Sequence, residues 1–155
     1  DRAIDPDQLD WLIARNCRIK ADVVEADETE MGLREILNYG HTLGHAVEAA
    51  SGFTIRHGEA VLTGMAAAGK IAVEKGVLSD AAFGRQQRLI GALRPKWADV
   101  TEDRLFELMQ ADKKARDGVI RFVLLHEVGK AVSHDDVSEN EVREAIRFAK
   151  EFVGG

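Results

Sequence analysis

Three of the five histidines, His41, His45 and His57, fall within a window of seventeen residues. Histidine is the commonest metal ligand and the side chain that most readily exchanges a proton near neutral pH. Helical residues four apart share one face and lie about 6 Å apart along the axis, so His41 and His45 project into one region. A short loop can return His57 to this pair. Two or three imidazoles at this spacing suit Zn²⁺, whose catalytic sites keep one position open.

The alternative is that each histidine is a hydrogen-bonded residue of the surface or the core and has no chemical role. Glycines at positions 40, 44, 58 and 64 favour a site, because they let a ligand or another helix approach closely. The sequence has no HExxH motif, which argues against a zinc protease of that type. The histidine pattern alone predicts a site but does not name its reaction.

Patterns of apolar residues at helical spacing, bounded by capping residues, glycine and proline, predict the elements that position this cluster. The predicted helices run from Pro6 to about Glu25, from Gly32 to Leu37, from His41 to Ala50, from His57 to Gly76, from Ser79 to Leu93, from Thr101 through Met109, and from Ser138 through Phe152. A β-rich stretch over 119–125 and a second over 130–132, separated by Gly129, predict a small hairpin. We therefore expect a mainly α fold, a single multi-helix domain over 1–155 with a minor β-hairpin.

Composition limits the classes of function. A net charge of −6 argues against a nucleic-acid or anionic-membrane partner. No run approaches the roughly eighteen apolar residues of a membrane span, and the N-terminus has no signal-peptide pattern. The single cysteine, Cys17, excludes an intrachain disulfide framework and favours a cytoplasmic location. We expect Cys17 to be a half-buried apolar residue on the first helix.

Several motifs resemble those of 3-dehydroquinate synthase, in the order of that family. They are Asn16-Cys-Arg-Ile-Lys20-Ala, Asp27-Glu28, Arg34-x-x-Leu-Asn38-x-Gly-His41-Thr-x-Gly-His45-Ala-x-Glu48, His57-Gly-Glu-Ala-Val and Asp112-Lys113-Lys114. The likeness is to the C-terminal helical domain of that enzyme. Members of the family also have an N-terminal Rossmann-like domain that binds NAD, and no Gly-rich signature of such a domain is present here.

This resemblance implies a step of the shikimate pathway, in which the phosphorylated sugar acid DAHP becomes 3-dehydroquinate and phosphate. It also implies a divalent metal, Zn²⁺ or Co²⁺, and NAD bound mainly by the absent domain. His41 and His57 match metal ligands of the family, whose third ligand is a glutamate upstream of this chain. His45 matches a histidine that contacts substrate near its phosphate and assists proton handling.

The other polar positions of the motifs suit a substrate with a carboxylate and a phosphate. By resemblance, Lys20 and Arg34 contact the carboxylate, Asn38 is a substrate-contacting amide, and Lys113 rather than Lys114 reaches the phosphate. Each has a structural alternative as a solvated helix residue, a surface ion pair or part of a charged turn. We interpret Asp27 and Glu28 as turn or capping carboxylates, and Glu48 and Glu59 as local structure that at most supports the histidines.

Two imidazoles alone bind Zn²⁺ weakly, so we expect the isolated chain to bind metal poorly and to be catalytically inactive. Its expected partners are a small sugar-phosphate acid and an N-terminal NAD-binding domain, and homo-oligomerisation stays open. Two alternatives are a sugar-phosphate cyclase of the 2-deoxy-scyllo-inosose or valiolone type and a non-catalytic helical interaction module. Glycerol-dehydrogenase-like metal enzymes share the architecture, but the motif from Arg34 to Glu48 fits them poorly. Lys20, Arg34 and the Asp112-Lys113-Lys114 motif favour dehydroquinate synthase, because substrates of the cyclases have no carboxylate.

Overall fold

The computed structural model describes residues 5–28, 32–97, 99–116 and 120–154, without the side chains of 112–116. The chain divides into two compact units, Asp1–Leu37 and Asn38–Gly155. Their elements follow in chain order and contain the predicted helices and hairpin. They are α1 (Pro6–Ala26), a 3₁₀ helix (Leu33–Asn38), α2 (His41–Ala50), α3 (His57–Glu74), α4 (Asp80–Leu93), α5 (Glu102–Arg116), β1 (Phe122–Glu127), β2 (Lys130–His134) and α6 (Glu139–Gly154).

The first unit is built on α1. The side chain of Asp5 accepts a hydrogen bond from the N–H of Asp7 at 3.1 Å, and proline opens the helix, as the sequence predicts. After α1, the carboxylate of Asp27 accepts from the N–H groups of Gly32 at 3.0 Å and Arg34 at 2.9 Å. Asp27 therefore supports the turn into the 3₁₀ helix, which confirms its interpretation as a capping carboxylate.

The apolar side chains of α1 are largely exposed in the part of the chain that the structure describes. Trp11 is 67% exposed and Ile13 is 52% exposed, and α1 has no buried residue. The prediction of a half-buried Cys17 is wrong, because this residue of α1 is exposed. Helical periodicity places an apolar stripe on one face but does not say whether anything packs against it.

The second unit has its own hydrophobic core. Helix α3 is its centre and packs against α2, α4, α6 and β1. The largest fully buried apolar side chains come from most of its elements and are Leu43, Val47, Ile71, Leu105, Leu124 and Ile146. Strands β1 and β2 pair antiparallel, with Phe122 opposite His134 and a bulge between Leu125 and Glu127. A mainly α fold with a small hairpin is therefore confirmed.

Close packing of α2 on α3 depends on two glycines. Gly40 precedes α2 with φ +81°, a left-handed conformation that L side chains rarely adopt. A Cβ atom built on Gly64 of α3 would overlap the carbonyl oxygen of Gly40. The helices can therefore approach only because neither position has a side chain, and this approach positions the ends of α2 and α3 that bear the histidines.

None of the helices among the described residues is both long and apolar enough to cross a membrane.

Candidate functional site

The three clustered histidines converge in the second unit. The ring centroids of His41 and His45 are 5.2 Å apart, those of His41 and His57 are 5.2 Å apart, and those of His45 and His57 are 5.9 Å apart. His41 begins α2, His45 lies one turn further on, and His57 begins α3. The structure thus confirms that the loop after α2 returns His57 to the pair on α2.

A backbone contact sets the tautomer of His41. Its Nδ1 lies 3.3 Å from the carbonyl oxygen of Tyr39. Because a carbonyl oxygen can only accept, Nδ1 carries the hydrogen and donates it. The lone pair of the half-buried His41 ring is then on Nε2, the atom left to bind a metal or a proton.

A carboxylate sets the tautomer of His57 in the same way. Nδ1 of His57 lies 3.1 Å from Oε2 of Glu48, with side-chain exposures of 54% and 20%. The ionised carboxylate accepts this hydrogen bond, so Nε2 of His57 also carries a lone pair. Carboxylate–histidine pairs of this kind orient metal-ligating imidazoles and make them more basic. Glu48 therefore supports a histidine, as the sequence predicts.

The donor set fits a divalent metal at His41 and His57. Two imidazoles that share a tetrahedral Zn²⁺ through nitrogens at about 2.0–2.1 Å have ring centroids roughly 5 Å apart, which is close to the observed spacing. Both rings hold their hydrogen on Nδ1 and leave Nε2 available. In the part of the chain that the structure describes, no group of three or more His, Cys, Asp or Glu side chains is arranged to hold a metal ion. The chain thus presents two imidazoles, those of His41 and His57, whose Nε2 atoms have lone pairs for a metal, with His45 beside them.

Polar contacts hold the segment before α2 against α3 and α4. Nε2 of Gln86 donates to the Tyr39 hydroxyl at 2.5 Å and to the carbonyl oxygen of Met65 at 2.8 Å. Burial raises the pKa of the Tyr39 hydroxyl far above its usual value, although the hydrogen bond from Gln86 opposes this effect. Thr42 donates to the carbonyl oxygen of Arg121 at 2.7 Å, which ties the first turn of α2 to the residue before β1.

The other predicted site residues lie in different parts of the chain. Lys20 is an exposed residue of α1, and Arg34 is a half-buried residue of the 3₁₀ helix, both within the first unit. Asn38 ends the 3₁₀ helix and is exposed. Lys113 belongs to α5, but its side chain lies outside the described residues. Their contacts with substrate therefore remain predictions.

Glu59 is local structure, as the sequence predicts, because its carboxylate accepts from the N–H of Arg56 at 3.4 Å and caps its own helix. No contact that the structure describes joins it to a clustered histidine. Sequence reasoning missed one feature. Histidines 126 and 134 meet on the hairpin with Nε2 atoms 2.9 Å apart, a contact that spacing along the chain did not reveal. The sequence contained one indication of this contact, because the two remaining histidines lie on either side of the predicted hairpin turn.

Comparisons with known proteins identify the family of this chain. Residues 2–115 match the family described as 3-dehydroquinate synthase C-terminal. The 3-dehydroquinate synthase of Rippkaea orientalis is 42% identical over 150 residues, which cover 93% of this chain and 40% of the relative. That of Picosynechococcus is 44% identical over 147 residues, which cover 92% and 40%. The chain thus spans about two fifths of the length of these relatives.

Solved structures show the same fold. A 2-deoxy-scyllo-inosose synthase complexed with carbaglucose-6-phosphate, NAD⁺ and Co²⁺ matches with a TM-score of 0.80 and 29% identity, covering 94% of this chain and 42% of that one. The 2-epi-5-epi-valiolone synthase of Streptomyces hygroscopicus, with NAD⁺ and Zn²⁺ bound, matches with a TM-score of 0.79 and 27% identity, covering 95% and 41%.

Proposed function

The chain belongs to the 3-dehydroquinate synthase C-terminal family, and from this premise we propose that it is the metal- and substrate-binding part of a 3-dehydroquinate synthase. The complete enzyme would convert DAHP to 3-dehydroquinate and phosphate in the cytoplasm. The proposal treats residues 1–155 as the C-terminal domain of a two-domain enzyme whose N-terminal domain binds NAD. The curated relatives support it, because their identity to this chain extends over nearly all of its length.

The convergence of His41 and His57 is the observation that carries the proposal. Their rings lie 5.2 Å apart, and the partners of their Nδ1 atoms leave both Nε2 atoms with lone pairs. We assign both as ligands of a divalent metal, Zn²⁺ or Co²⁺, whose third protein ligand comes from outside this chain. When bound, such a metal holds substrate hydroxyls and polarises a developing carbonyl oxygen.

His45 has a different role in the proposal. Its exposed ring lies beside both ligand histidines, at 5.2 Å from His41 and 5.9 Å from His57. A neutral imidazole there can accept a proton from the substrate near its phosphate and return it, since the pKa of histidine lies near the working pH. In the complete enzyme, NAD⁺ bound by the N-terminal domain would accept a hydride and give it back.

The remaining assignments concern the two anionic groups of DAHP. The guanidinium of Arg34 suits a bidentate hydrogen bond to the carboxylate, and Lys20 adds a point charge. Asn38 supplies an amide for a substrate hydroxyl, and Lys113 supplies a cation for the phosphate. These four positions match the family motifs, and contacts with substrate are proposed for all of them.

The second candidate function is a related sugar-phosphate cyclase. The two solved structures favour it, since an inosose synthase and a valiolone synthase share this fold at TM-scores of 0.80 and 0.79. Arg34 and Lys20 distinguish the candidates, because only DAHP has a carboxylate that needs them. In the complete enzyme, Arg34→Met should raise KM for DAHP by about 10- to 100-fold if it loses a charged bidentate contact.

A turnover assay tests the proposed function. The chain, alone and mixed with the N-terminal half of a 3-dehydroquinate synthase, receives DAHP, NAD⁺ and Zn²⁺, and dehydroquinate and phosphate are measured. We expect both products in equal amounts from the mixture and none from the chain alone. Full activity from the chain alone would contradict the two-domain account, and turnover of glucose 6-phosphate instead of DAHP would favour the cyclase.

A further inference from the structure

The hairpin carries a second histidine pair. Nε2 of His126 in β1 and Nε2 of His134 at the end of β2 lie 2.9 Å apart, with ring centroids 5.2 Å apart. Nδ1 of His134 lies 3.0 Å from Oδ1 of Asp136. The other carboxylate oxygen of Asp136 accepts from Nζ of Lys75 at 3.2 Å. Through these contacts, the hairpin histidines are linked by Asp136 to Lys75 at the end of α3.

Hydrogen-bonding rules assign the tautomers of this pair. The carboxylate of Asp136 can only accept, so Nδ1 of His134 carries the hydrogen and its Nε2 has a lone pair. Hydrogen bonding from His134, and then from Lys75, lowers the pKa of Asp136 and keeps its carboxylate ionised. With both rings neutral, His126 must donate from Nε2 to His134. A single hydrogen bond therefore joins the two Nε2 atoms, and each of these nitrogens is of a type that can bind a metal.

We propose that His126 and His134 form a second metal site, for a borderline divalent ion such as Zn²⁺, Ni²⁺ or Cu²⁺. An ion bound by the two Nε2 atoms replaces the shared hydrogen. His126 then keeps one hydrogen, now on Nδ1, so both rings stay neutral and no proton is released. Two nitrogens at about 2.0–2.1 Å from a tetrahedral ion lie roughly 3.3 Å apart, so the 2.9 Å contact must open by a few tenths of an ångström. Both rings must also turn, because their Nε2 atoms point at each other and have to converge on the ion. Water completes the coordination.

The surroundings of the pair suit an ion as well as the hydrogen bond. Asp136 holds His134 in the tautomer that a metal requires, as do carboxylates that accept from the other ring nitrogen of zinc-ligating histidines. The one nearby cation, among the contacts that the structure describes, is Lys75, and its Nζ is bound to Asp136 and to Glu141 at 3.2 Å. His126 lies at the irregularity between Leu125 and Glu127, and in the strand register His134 opposes Phe122 rather than His126.

Zinc titration of the full chain, followed by ¹⁵N spectra of the imidazoles, tests this site. The chain has five histidines, so each ring can be assigned and followed separately. We expect the Nε2 signals of His126 and His134 to shift together and saturably, independently of His41 and His57. His126→Gln should remove the shift of His134 while leaving that of His41 in place. Asp136→Asn should weaken binding at the hairpin by about 10- to 100-fold.

Three results would overturn the second site. One is that the His126 and His134 signals stay in place at about 1 mM Zn²⁺, where even weak sites fill. Another is that His134 shifts equally in His126→Gln, which would mean that it binds zinc without the proposed pair. The third is unchanged zinc affinity at the hairpin in Asp136→Asn. Because the readout separates the hairpin rings from those on α2 and α3, failure here would leave the proposed function untouched.

Discussion

Oε2 of Glu48 lies 3.1 Å from Nδ1 of His57, so a residue in the last half of α2 orients the imidazole that begins α3. The pair is partly solvent-exposed, and such pairs contribute little to stability. The contact matters because it orients the His57 ring, places its hydrogen on Nδ1 and leaves the lone pair on Nε2. Metal affinity should therefore respond to Glu48 more than folding does.

Glu48→Gln tests this relationship. The amide keeps the size of the side chain but loses the charge that favours the ligating tautomer, so zinc affinity at His57 should fall by about 10-fold with thermal stability nearly unchanged. The measurement is a zinc titration read at the His57 imidazole. Glu144→Gln, on an exposed part of α6, is the matched control and should change neither property. Equal affinities for Glu48→Gln and the wild type would show that the contact does not tune the ligand.

Gly64→Ala should disrupt the approach of α2 to α3. The added Cβ overlaps the carbonyl oxygen of Gly40, which is backbone and cannot swing aside, so we expect a loss of about 3 kcal/mol or more in the free energy of unfolding. Gly58→Ala in the same helix is the control, since a Cβ there meets nothing within 4 Å. That change should leave stability unchanged or raise it by up to about 1 kcal/mol. Urea unfolding of both variants decides the matter, and equal stabilities would refute the close packing.

Tyr39 should resist ionisation until the protein unfolds. It is the only tyrosine, and its burial raises the pKa of the hydroxyl well above 10, so absorbance at 295 nm reports on this group alone. The folded pKa exceeds the unfolded one, so the free energy of unfolding falls as pH rises above about 10. We expect tyrosinate to appear together with loss of circular dichroism, and Tyr39→Phe to remove the absorbance change. Normal titration near pH 10 with the helices intact would contradict the burial.

Lys75 should contribute to stability through Asp136 and Glu141. Burial acts against the charge of Lys75, but its hydrogen bonds to both carboxylates outweigh this effect and raise its pKa. The pKa of Asp136 is lowered by His134 and Lys75, and the pKa of Glu141 is lowered because bonds from Ser138 and Lys75 overcome burial. The carboxylates' contribution is present above their unfolded pKa values of about 4, and it is lost as pH falls through the lower folded values.

Lys75→Met should remove part of that contribution. We expect lower stability near pH 7 and a shallower decline in stability between about pH 5 and pH 2. Thermal unfolding across this range measures both effects. Lys150→Met, on an exposed position of α6, is the control. If stability falls as steeply with decreasing pH in Lys75→Met as in the wild type, Lys75 does not lower the pKa values of Asp136 and Glu141.

The sequence predicts most of the local structure because the signals are local. Ser79 and Ser138 cap helices where expected, with Ser79 accepting from the N–H of Ala82 at 3.3 Å. The i,i+4 spacing and the short loop were enough to predict that His41, His45 and His57 converge. The prediction for Cys17 was wrong because helical periodicity identifies an apolar face but does not show whether other residues pack against it. The contact of His126 with His134 was not predicted, because His126 lies at a bulge and strand patterns do not show where a bulge occurs.

The most direct test of the central claim, that His41 and His57 are the metal ligands and His45 is not, is the zinc dependence of turnover in the recombined two-domain enzyme. Metal-free enzyme is titrated with Zn²⁺ while dehydroquinate formation from DAHP is measured, for the wild type, His41→Ala, His57→Ala and His45→Ala. The account predicts that both ligand variants need at least about 100-fold more zinc or stay inactive, since each lacks one of few protein ligands. It predicts that His45→Ala reaches half-maximal activation at the wild-type zinc concentration but with a rate lower by about 10²-fold or more. Activation of His41→Ala or His57→Ala at the wild-type zinc concentration would contradict the account.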